Sequence, residues 1–352
     1  MLVREGKAEV FVENGVFYNP RMKFCRDADM VVFSCMDSHE YLDALAATGI
    51  RGIRACLEAD FRAIFNDRNP NAVRLLRKNL EHNGLECEVL RRDAAALMRE
   101  RGFEHIDLDP FGSPAEFIDS ACSSVKRYLS VTATDTAALC GSATVSGLRK
   151  YSSYAEKTEF YPELGLRVLA GKIAREATKY DKAMEVLISW AREHYYRIHV
   201  FFRRSPRRAG KVYEKLGYLF YCTKCLRREW RPMDGSVVEK CVCGNKYTMM
   251  GPLWLGELHN EEFVSKAVEK AVEISSDEVR NLFTRIAEEI DVPFYYELHI
   301  LAKLAGKSPP PLQNVIEGLK DRGFKASRTR CSGTGFKTDA DIEDIMSILE
   351  KL

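Results

Sequence analysis

Residues 40–67 read EYLDALAATGIRGIRACLEADFRAIFND, and this stretch decides the fold that we expect. The short apolar run Tyr41–Ala46 ends in Thr48-Gly49, a helical stretch continues to Leu57, and a second run, Arg62–Phe65, ends in Asn66-Asp67. A strand that ends in small residues and leads into a helix is typical of cofactor-binding sheets, because the helix N-terminus then faces the ligand. The glycine pattern G-x-G-x-x-G of dinucleotide folds is absent.

The same alternation of strand and helix continues downstream. Asn69-Pro70 predicts the start of a helix, since proline favours the first helical position. Three further apolar runs predict strands, at Glu86–Leu90, His105–Leu108 and Leu129–Ala133. Strands that alternate with helices at this spacing predict an α/β fold with a mostly parallel sheet.

The second half of the chain predicts additional modules. We expect helices at Pro162–Tyr180 and Lys182–Arg192, and a strand at Tyr195–Phe202 with Met249–Leu258 as its returning partner. The prolines at 309–311 interrupt a helical and charged region that starts at Glu261. We therefore predict one domain over residues 1–257 with an insertion at about 218–248, and a small winged-helix-like α+β domain over 258–352.

Length and composition limit the classes of function. The 352 residues are 46% hydrophobic, which is enough for a sizeable core. No signal-like start and no bilayer-length apolar run is present, so we expect a soluble, cytoplasmic protein without a membrane partner. The net charge of +2 does not by itself indicate nucleic-acid binding, and that argument depends on local clusters.

Acidic residues follow successive predicted strands. Asp67 comes about twenty residues after the Thr48-Gly49 turn, where an acid binds ribose hydroxyls in nucleotide folds. Asp93, followed by Ala94, ends the third strand, where a carboxylate can accept from an adenine amino group. A single such aspartate is commonly a turn residue or a helix N-cap. Their recurrence at successive strand ends favours a cofactor site.

The most specific motif is Asp109-Pro-Phe-Gly112, directly after the fourth strand. A motif of this type, [DNS]-P-P-[FYW], marks enzymes that methylate exocyclic amino groups of bases. Such a nitrogen is a poor nucleophile because its lone pair is delocalised into the ring. The Asp109 carboxylate can accept from its N–H and take the proton, and Phe111 can stack on an extruded base. The alternative is a purely structural Asp-Pro turn.

Taken together, these stretches resemble the tRNA guanosine-26 N2,N2-dimethyltransferases, in their compact archaeal form. The resemblance covers nearly the whole chain and is carried by residues 5–12, 16–22, 26–27, 43–54, 109–114, 251–256 and 335–340. It implies a class I, Rossmann-like methyltransferase fold, S-adenosylmethionine as cofactor, tRNA as partner, and N2-methyl- and N2,N2-dimethylguanosine as products. It implies no obligatory protein partner. One departure is Thr329-Arg330-Cys331, where the family usually has Thr-His before an aromatic residue.

The cofactor's methionine carboxylate requires a cation. Arg26 lies in the N-terminal segment that folds over the cofactor in the family, and Arg51 lies in the first turn after Gly49. Both are therefore candidates to bind this carboxylate. The alternative for either arginine is a solvated surface charge.

Four of the 11 cysteines come as two close pairs, Cys222-x-x-Cys225 and Cys241-x-Cys243. Four thiolates in two tight turns predict a tetrahedral zinc site. Because the set leaves no open coordination position, the zinc would be structural. We interpret the other cysteines as reduced, inert thiols.

Basic residues cluster on both sides of the first cysteine pair. We predict that they form one surface that contacts tRNA phosphates around the zinc turn, because two runs that flank it would be directed together. The alternative is an ordinary solvated face. The candidate RNA-binding residues are Arg203, Arg204, Arg207, Arg208, Arg227, Arg228 and Arg231.

Two other functions remain open from the residues alone. A DNA amino-methyltransferase would share the chemistry of Asp109. A catalytically silent tRNA-binding protein would share the basic clusters, although retention of Asp109 and the cofactor acids disfavours it.

Overall fold

The computed structural model describes residues Met1–Leu352. The strands, in chain order, are β1 Leu2–Glu5, β2 Ala8–Phe11, β3 Glu40–Asp43, β4 Arg62–Asn66, β5 Glu88–Leu90, β6 Phe103–Leu108, β7 Val125–Ala133, β8 Lys182–Arg192, β9 Tyr195–Arg204, β10 Leu216–Tyr221, β11 Arg228–Pro232, β12 Thr248–Trp254, β13 Tyr296–Glu297, β14 Ala326–Arg328 and β15 Gly335–Thr338. The helices are α1 Lys23–Ser34, α2 Ile50–Ala59, α3 Pro70–His82, α4 Ala94–Glu100, α5 Ala115–Ser124, α6 Thr136–Leu139, α7 Thr144–Tyr151, α8 Tyr161–Thr178, α9 Pro206–Tyr213, α10 Glu261–Ile274, α11 Asp277–Glu288, α12 Leu298–Leu304, α13 Leu312–Asp321 and α14 Ile342–Leu349.

The central sheet has seven strands in the order β5-β4-β3-β6-β7-β9-β8. Strands β3 to β7 are parallel, so the predicted mostly parallel α/β sheet is confirmed. Their carboxyl ends therefore lie together at what we call the carboxyl edge, where Asp43 of β3 pairs with Asp107 of β6. Strand β9 is antiparallel to β7, so Tyr196 lies beside Ala133 at this edge. Arg204, at the end of β9, lies at the opposite edge.

The start of α3 follows the expected capping chemistry. The side chain of Asn69 accepts a hydrogen bond from the backbone N–H of Asn71, and Pro70 occupies the first helical position. Leu76 and Leu80 lie on the buried face of the helix. This places the N-terminus of α3 at the carboxyl edge, directly after Asp67.

Two predictions for the segment after α8 are wrong. Residues 182–192 form strand β8, not a helix, and β8 pairs antiparallel with β9. The residues from Val186 to Trp190 are all buried, and the periodicity of such an apolar run does not distinguish strand from helix. Strand β12 does not return to β9. It pairs with β10 in a separate sheet of order β11-β10-β12.

Helices α10 and α11 pack against the first domain. Val264 and Ala267 of α10 and Phe283 of α11 share one buried core with Phe33 of α1. The first two helices after residue 258 thus contribute side chains to the core that α1 shares. The domain boundary near this residue stays a prediction.

The C-terminal sheet, of order β13-β15-β14, is attached through buried charged side chains. Lys337 of β15 lies 3.2 Å from Glu163 of α8 and 2.9 Å from Glu289. Arg330 donates hydrogen bonds to Glu289 at 3.0 Å and to Ser189 of β8 at 3.3 Å. The departure at Arg330 therefore links the C-terminal sheet to the central one. None of the helices combines the length and the apolar character needed to cross a membrane.

Candidate active site

Two adjoining cavities open at the carboxyl edge, with volumes of about 470 and 450 Å³. The first contains the predicted cofactor acids, and the second contains the predicted arginines. Both cavities are lined by Phe17, Leu45, Ala47 and the residues Asp109 to Phe111. The predicted catalytic motif therefore lies where the two cavities meet.

The first cavity presents carboxylates that are fixed by backbone donors. Asp67 accepts hydrogen bonds from the N–H groups of Ala47 at 2.9 Å and Asn69 at 2.8 Å. Asp93 caps α4 by accepting from the N–H of Ala96 at 2.9 Å, and Ala94 is buried beside it. Each carboxylate oxygen has about two acceptor positions, so both acids retain capacity for ribose hydroxyls or an adenine amino group. The site therefore fits a nucleoside.

Ala47 lies in the turn after β3, at a position where a cofactor-binding turn would favour glycine. Its backbone conformation is one that glycine adopts more readily than alanine. Its φ angle is +48°, in the left-handed region that favours glycine. The hydrogen bond from its N–H to Asp67 helps to hold this conformation. The turn after β3 thus brings the backbone close to both cavities, as a cofactor-binding turn requires.

The second cavity contains both predicted cations, each already paired with a carboxylate. Arg26 donates to Glu5 at 2.7 and 2.6 Å. Arg51 donates to Asp109 at 2.5 Å and is in an ion pair with Asp29. Both arginine side chains are almost fully buried. Both guanidinium groups line the cavity, but protein carboxylates determine their orientations and offset their charges.

Arg51 is the outer member of a buried chain of alternating charges. Asp29 accepts from Arg197 at 2.9 Å, and Arg197 donates two hydrogen bonds of 2.8 Å to Asp107. Burial alone would raise the pKa of Asp107, but the charge and hydrogen bonds of Arg197 lower it to about 2. Asp107 is therefore ionised at neutral pH, and the chain links the sheet interior to Asp109.

The loop that carries Asp109 is attached to the end of β7. The N–H of Gly112 donates to the hydroxyl of Thr134 at 2.9 Å, and the N–H of Thr134 donates to the carbonyl of Gly112 at 2.9 Å. Phe111 is 85% exposed and meets Phe17 edge to face, with ring centroids 5.4 Å apart. The Asp109 side chain is 28% exposed. The loop thus presents a fixed carboxylate beside a free aromatic face.

The four paired cysteines converge, as the sequence predicts. Their Sγ atoms lie within 4.8 Å of one another, with Cys222 and Cys243 3.5 Å apart and Cys225 and Cys241 3.4 Å apart. A tetrahedral zinc with Zn–S distances of about 2.3 Å separates its sulfurs by about 3.8 Å. Small adjustments of the thiols therefore accommodate a structural zinc, which would tie the end of β10 to the loop before β12.

The residues of the predicted arginine surface lie on two groups of elements. Arg203, Arg204, Arg207 and Arg208 lie at the end of β9 and the start of α9, at the edge opposite Asp109. Their role in RNA binding stays a prediction.

The arginines after the first cysteine pair have protein partners. The Arg228 side chain is buried, donates to Glu159 at 2.7 Å and covers the ring of Tyr296, and its role as a phosphate contact stays a prediction. Arg227 is paired with Glu343 of α14, and Arg231 lies 3.0 Å from Glu229. Arg227 and Arg228 thus connect the neighbourhood of the zinc turn to the C-terminal module.

Sequence reasoning missed several residues of the site. Asp29 and Arg197 orient Arg51 from elements far apart in the chain, and no local pattern marks them. Thr134 and His194 line the second cavity from the loops after β7 and β8. Phe17 belongs to residues 16–22, one of the stretches that carry the family resemblance, and the structure places it against Phe111.

The chain is similar over its whole length to proteins of known function. A family model described as N2,N2-dimethylguanosine tRNA methyltransferase matches residues 1–350. A tRNA (guanine(26)-N(2))-dimethyltransferase from Archaeoglobus fulgidus is 56% identical over 349 residues, which are 99% of this chain and 98% of that protein. One from Methanospirillum hungatei is 40% identical over 334 residues, 94% of this chain and 90% of that protein. The structure of Trm1 from Pyrococcus horikoshii with S-adenosyl-L-methionine matches with a TM-score of 0.91 and 36% identity, and 99% of each chain is covered.

Proposed function

The chain belongs to the N2,N2-dimethylguanosine tRNA methyltransferase family, and from this premise we propose that Asp109 is the base that receives the proton from N2 of guanosine 26. The overall activity follows from the family: the enzyme transfers methyl groups from S-adenosylmethionine to N2 of guanosine 26 in tRNA, giving the dimethylated base. The observation that carries the assignment is the position of Asp109 at the junction of the two cavities.

The chemistry at Asp109 follows from its fixed position. S-adenosylmethionine supplies a methyl group on a positively charged sulfur. The Asp109 carboxylate accepts a hydrogen bond from N2–H, which localises the nitrogen lone pair toward the methyl carbon. As the new N–C bond forms, the bond between the sulfur and the methyl carbon breaks, S-adenosylhomocysteine leaves as a neutral thioether, and the carboxylate takes the proton from N2. A second round requires the same carboxylate to meet the remaining N–H, so its fixed position serves both transfers.

The cofactor residues divide between the two cavities. Asp67 accepts from the ribose hydroxyls, and Asp93 with the buried Ala94 holds the adenine, because these groups line the first cavity with free acceptor positions. Arg26 and Arg51 line the second cavity, where they face the methionine carboxylate. Since both guanidinium groups are already paired, we assign them a shared electrostatic attraction rather than a dedicated clamp.

The flipped guanine stacks on Phe111. An enzyme that acts on a base must take it out of its stack, and aromatic side chains replace the lost stacking. Phe111 is exposed at the cavity mouth, and Phe17 stands edge to face with it. The pair can hold an extruded base against Asp109.

The C-terminal module is the part of the chain that we connect with binding of the whole tRNA. We assign residues 258–352 to tRNA binding, with the zinc-linked loops as the structural connection through Arg227 and Glu343. We propose action on tRNA in the cytoplasm without an obligatory protein partner.

The test is a methylation assay with labelled S-adenosylmethionine on unmodified tRNA and on DNA. Nucleoside analysis should give dimethylguanosine from tRNA only, and replacement of guanosine 26 by adenosine should abolish it. Methyl transfer to DNA, or to tRNA that lacks guanosine 26, would overturn the assignment.

A further inference from the structure

The hairpin between β8 and β9 places a histidine in the second cavity. Its turn consists of only Glu193 and His194. The turn stands at the carboxyl edge, where Tyr196 of β9 pairs with Ala133 of β7. His194 lines the cavity, as Asp109 does. The cavity thus contains an imidazole as well as the catalytic carboxylate.

The turn is held in one conformation by its neighbours. Glu193 has a φ angle of +47°, in the left-handed region that residues other than glycine rarely adopt. Its carboxylate pairs at 3.1 Å with Arg21, which lies in the segment before α1 that also carries Phe17. The Nδ1 atom of His194 lies 3.6 Å from the same carboxylate. The position of the imidazole is therefore set by its surroundings before a substrate binds.

The imidazole of His194 has a ring nitrogen that the fold does not use. Its Nδ1 atom is buried without a hydrogen bond, whereas Nε2 has no partner in the protein and is not buried. The side chain is 33% exposed. The histidines of the sheet interior differ, because His105 and His199 both bond to Ser130. Nε2 of His194 is thus available to a ligand in the cavity.

The neighbouring carboxylate determines which hydrogen bond Nε2 can form. In a neutral imidazole one nitrogen carries the proton and the other is an acceptor, and the group beside each nitrogen decides between them. The carboxylate of Glu193 beside Nδ1 favours the proton on Nδ1. Nε2 of His194 is then an acceptor that faces a donor on the ligand.

The order of the sheet separates the cofactor residues from His194. Asp67 and Asp93 follow β4 and β5, on one side of β6, whereas β7 and β9 lie on its other side. Strand β9 is two strands from β6, a distance of about 10 Å. The nitrogen attacks the methyl carbon opposite to the sulfur, so the base approaches Asp109 from the side away from the cofactor. The guanine therefore enters on the side that contains His194.

We propose that Nε2 of His194 accepts a hydrogen bond from N1–H of the flipped guanine while Asp109 accepts from N2–H. The proposal rests on the proposed role of Asp109 and on the family's activity on guanosine 26. Enzymes that extrude a base commonly read its Watson–Crick edge, and N1–H and N2–H are adjacent on that edge of guanine. Adenine has an unprotonated N1 and no N2 amino group. Two acceptors at this spacing therefore select guanine.

The test compares guanine with 2-aminopurine at position 26 of an otherwise unmodified tRNA. 2-Aminopurine keeps the amino group that is methylated but has no hydrogen on N1. For His194→Ala we expect kcat/KM to fall about tenfold on guanine, the effect of one lost hydrogen bond, and to stay unchanged on 2-aminopurine. A role that is merely structural would lower both values by the same factor.

Two further variants complete the comparison. His82→Ala is the matched control, because the His82 side chain is 34% exposed at the end of α3 and lines neither cavity. This variant should match the wild type on both bases. His194→Gln keeps an acceptor in its carboxamide oxygen and should recover part of the preference for guanine.

Three results would overturn the proposal. They are an equal fall of kcat/KM on both bases, an unchanged kcat/KM on guanine, and a Kd for S-adenosylmethionine raised tenfold in His194→Ala, which would assign the imidazole to the cofactor instead. Methylation of guanosine 26 by the wild-type enzyme is measured in the same series. If the wild type methylates guanosine 26 but His194→Ala shows no difference between the bases, only this proposal fails and the proposed function stands.

Discussion

At the scale of single residues, Asp109 carries the assignment of the chemistry. Positioned proton transfer typically contributes about 10²–10⁴-fold to a rate. Asp109→Asn keeps the shape of the side chain but cannot take the proton, and Asp109→Ala removes it. We expect both variants to lose at least ~10²-fold in kcat, while the Kd for S-adenosylmethionine, measured by calorimetry, changes little. A turnover within tenfold of the wild type would remove Asp109 from the mechanism.

Asp29 should affect catalysis although it is fully buried. It is in an ion pair with Arg51, which in turn binds Asp109, and its other oxygen accepts from Arg197. Asp29→Asn removes the charge that orients Arg51, so the carboxylate of Asp109 loses its fixed partner. We expect a lower kcat at saturating substrates with little change in the Kd for S-adenosylmethionine, together with a lower free energy of unfolding.

The control for Asp29 is a buried ion pair far from the cavities. Lys337→Met breaks the contacts with Glu163 and Glu289 in the C-terminal sheet. Removal of one partner of a buried pair typically costs about 3–5 kcal/mol. Both variants should therefore be less stable, but only Asp29→Asn should lower kcat under conditions where the protein is fully folded. Equal effects on kcat would mean that Asp29 has only a structural role.

The sequence predicted the residues that follow strand ends better than those that pair across the core. Asp67, Asp93 and Asp109 are recognisable because each lies within three residues of the end of a strand in a regular alternation. The partners of Arg51 are not, because Asp29 and Arg197 stand 168 positions apart and meet only when α1 packs beside β9. A local pattern therefore identifies an arginine but not the carboxylates that hold it.

At the scale of elements, the zinc turn makes a separate prediction. The four thiols lie between β10 and β12, and Arg227 beside them is paired with Glu343 of α14. Metal analysis should find about one zinc per chain. Cys222→Ser should lower both zinc content and the free energy of unfolding, since a structural site contributes folding energy.

The control for the zinc turn is Cys140→Ser. Cys140 is also buried but lies outside the cluster, so this variant should keep its zinc. A protein that is free of metal, stable and active would contradict the assignment. If Cys222→Ser kept its zinc and its full stability, this result would also contradict the assignment of a structural zinc.

The wrong prediction of a helix at residues 182–192, where the structure has β8, has a physical cause. Sequence periodicity reports which faces of an element are buried, and β8 is covered on one side by α8 and on the other by α10. Its apolar residues therefore do not alternate. The hairpin to β9 determines the strand, and that pairing is a tertiary feature. By contrast, α3 has a cap, a proline and one apolar face, and its predicted start at Asn69-Pro70 is confirmed.

At the scale of the whole molecule, the modules are joined by buried groups rather than by a linker. Phe283 of α11 lies in the same core as Phe33, and Arg330 reaches Ser189 of β8. We therefore expect the chain to unfold in a single transition. Its stability as a function of pH then reports on titrating groups throughout the core.

The buried histidines of the central sheet predict the direction of this pH dependence. Burial lowers the pKa of His105 from 6.5 to about 3, and burial together with Arg197 lowers the pKa of His199 well below its ordinary value. The unfolded chain binds protons at these two sites below pH 6.5, whereas the folded protein does not. The free energy of unfolding should therefore fall as the pH decreases from 6.5, by about 1.4 kcal/mol per pH unit for each histidine.

Some buried carboxylates are kept ionised by arginines and lysines, and they affect the free energy of unfolding at a lower pH than the histidines do. The charges of Arg330 and Lys337 outweigh the effect of burial and lower the pKa of Glu289 from 4.5 to about 2, so its stabilising contribution is lost only as the pH falls below 4.5. Between pH 7 and pH 5 the histidines act together with Asp43, whose pKa burial and the charges of Asp107 and Asp109 raise well above its ordinary value, so that its protonation in the folded state opposes their effect. A comparison of variants by urea unfolding separates the two contributions. His105→Gln should lower the slope of stability against pH in this window, whatever it does to stability at pH 7. A slope of His105→Gln equal to that of the wild type would contradict the prediction, because it would require the buried imidazole of His105 to accept a proton in the folded state.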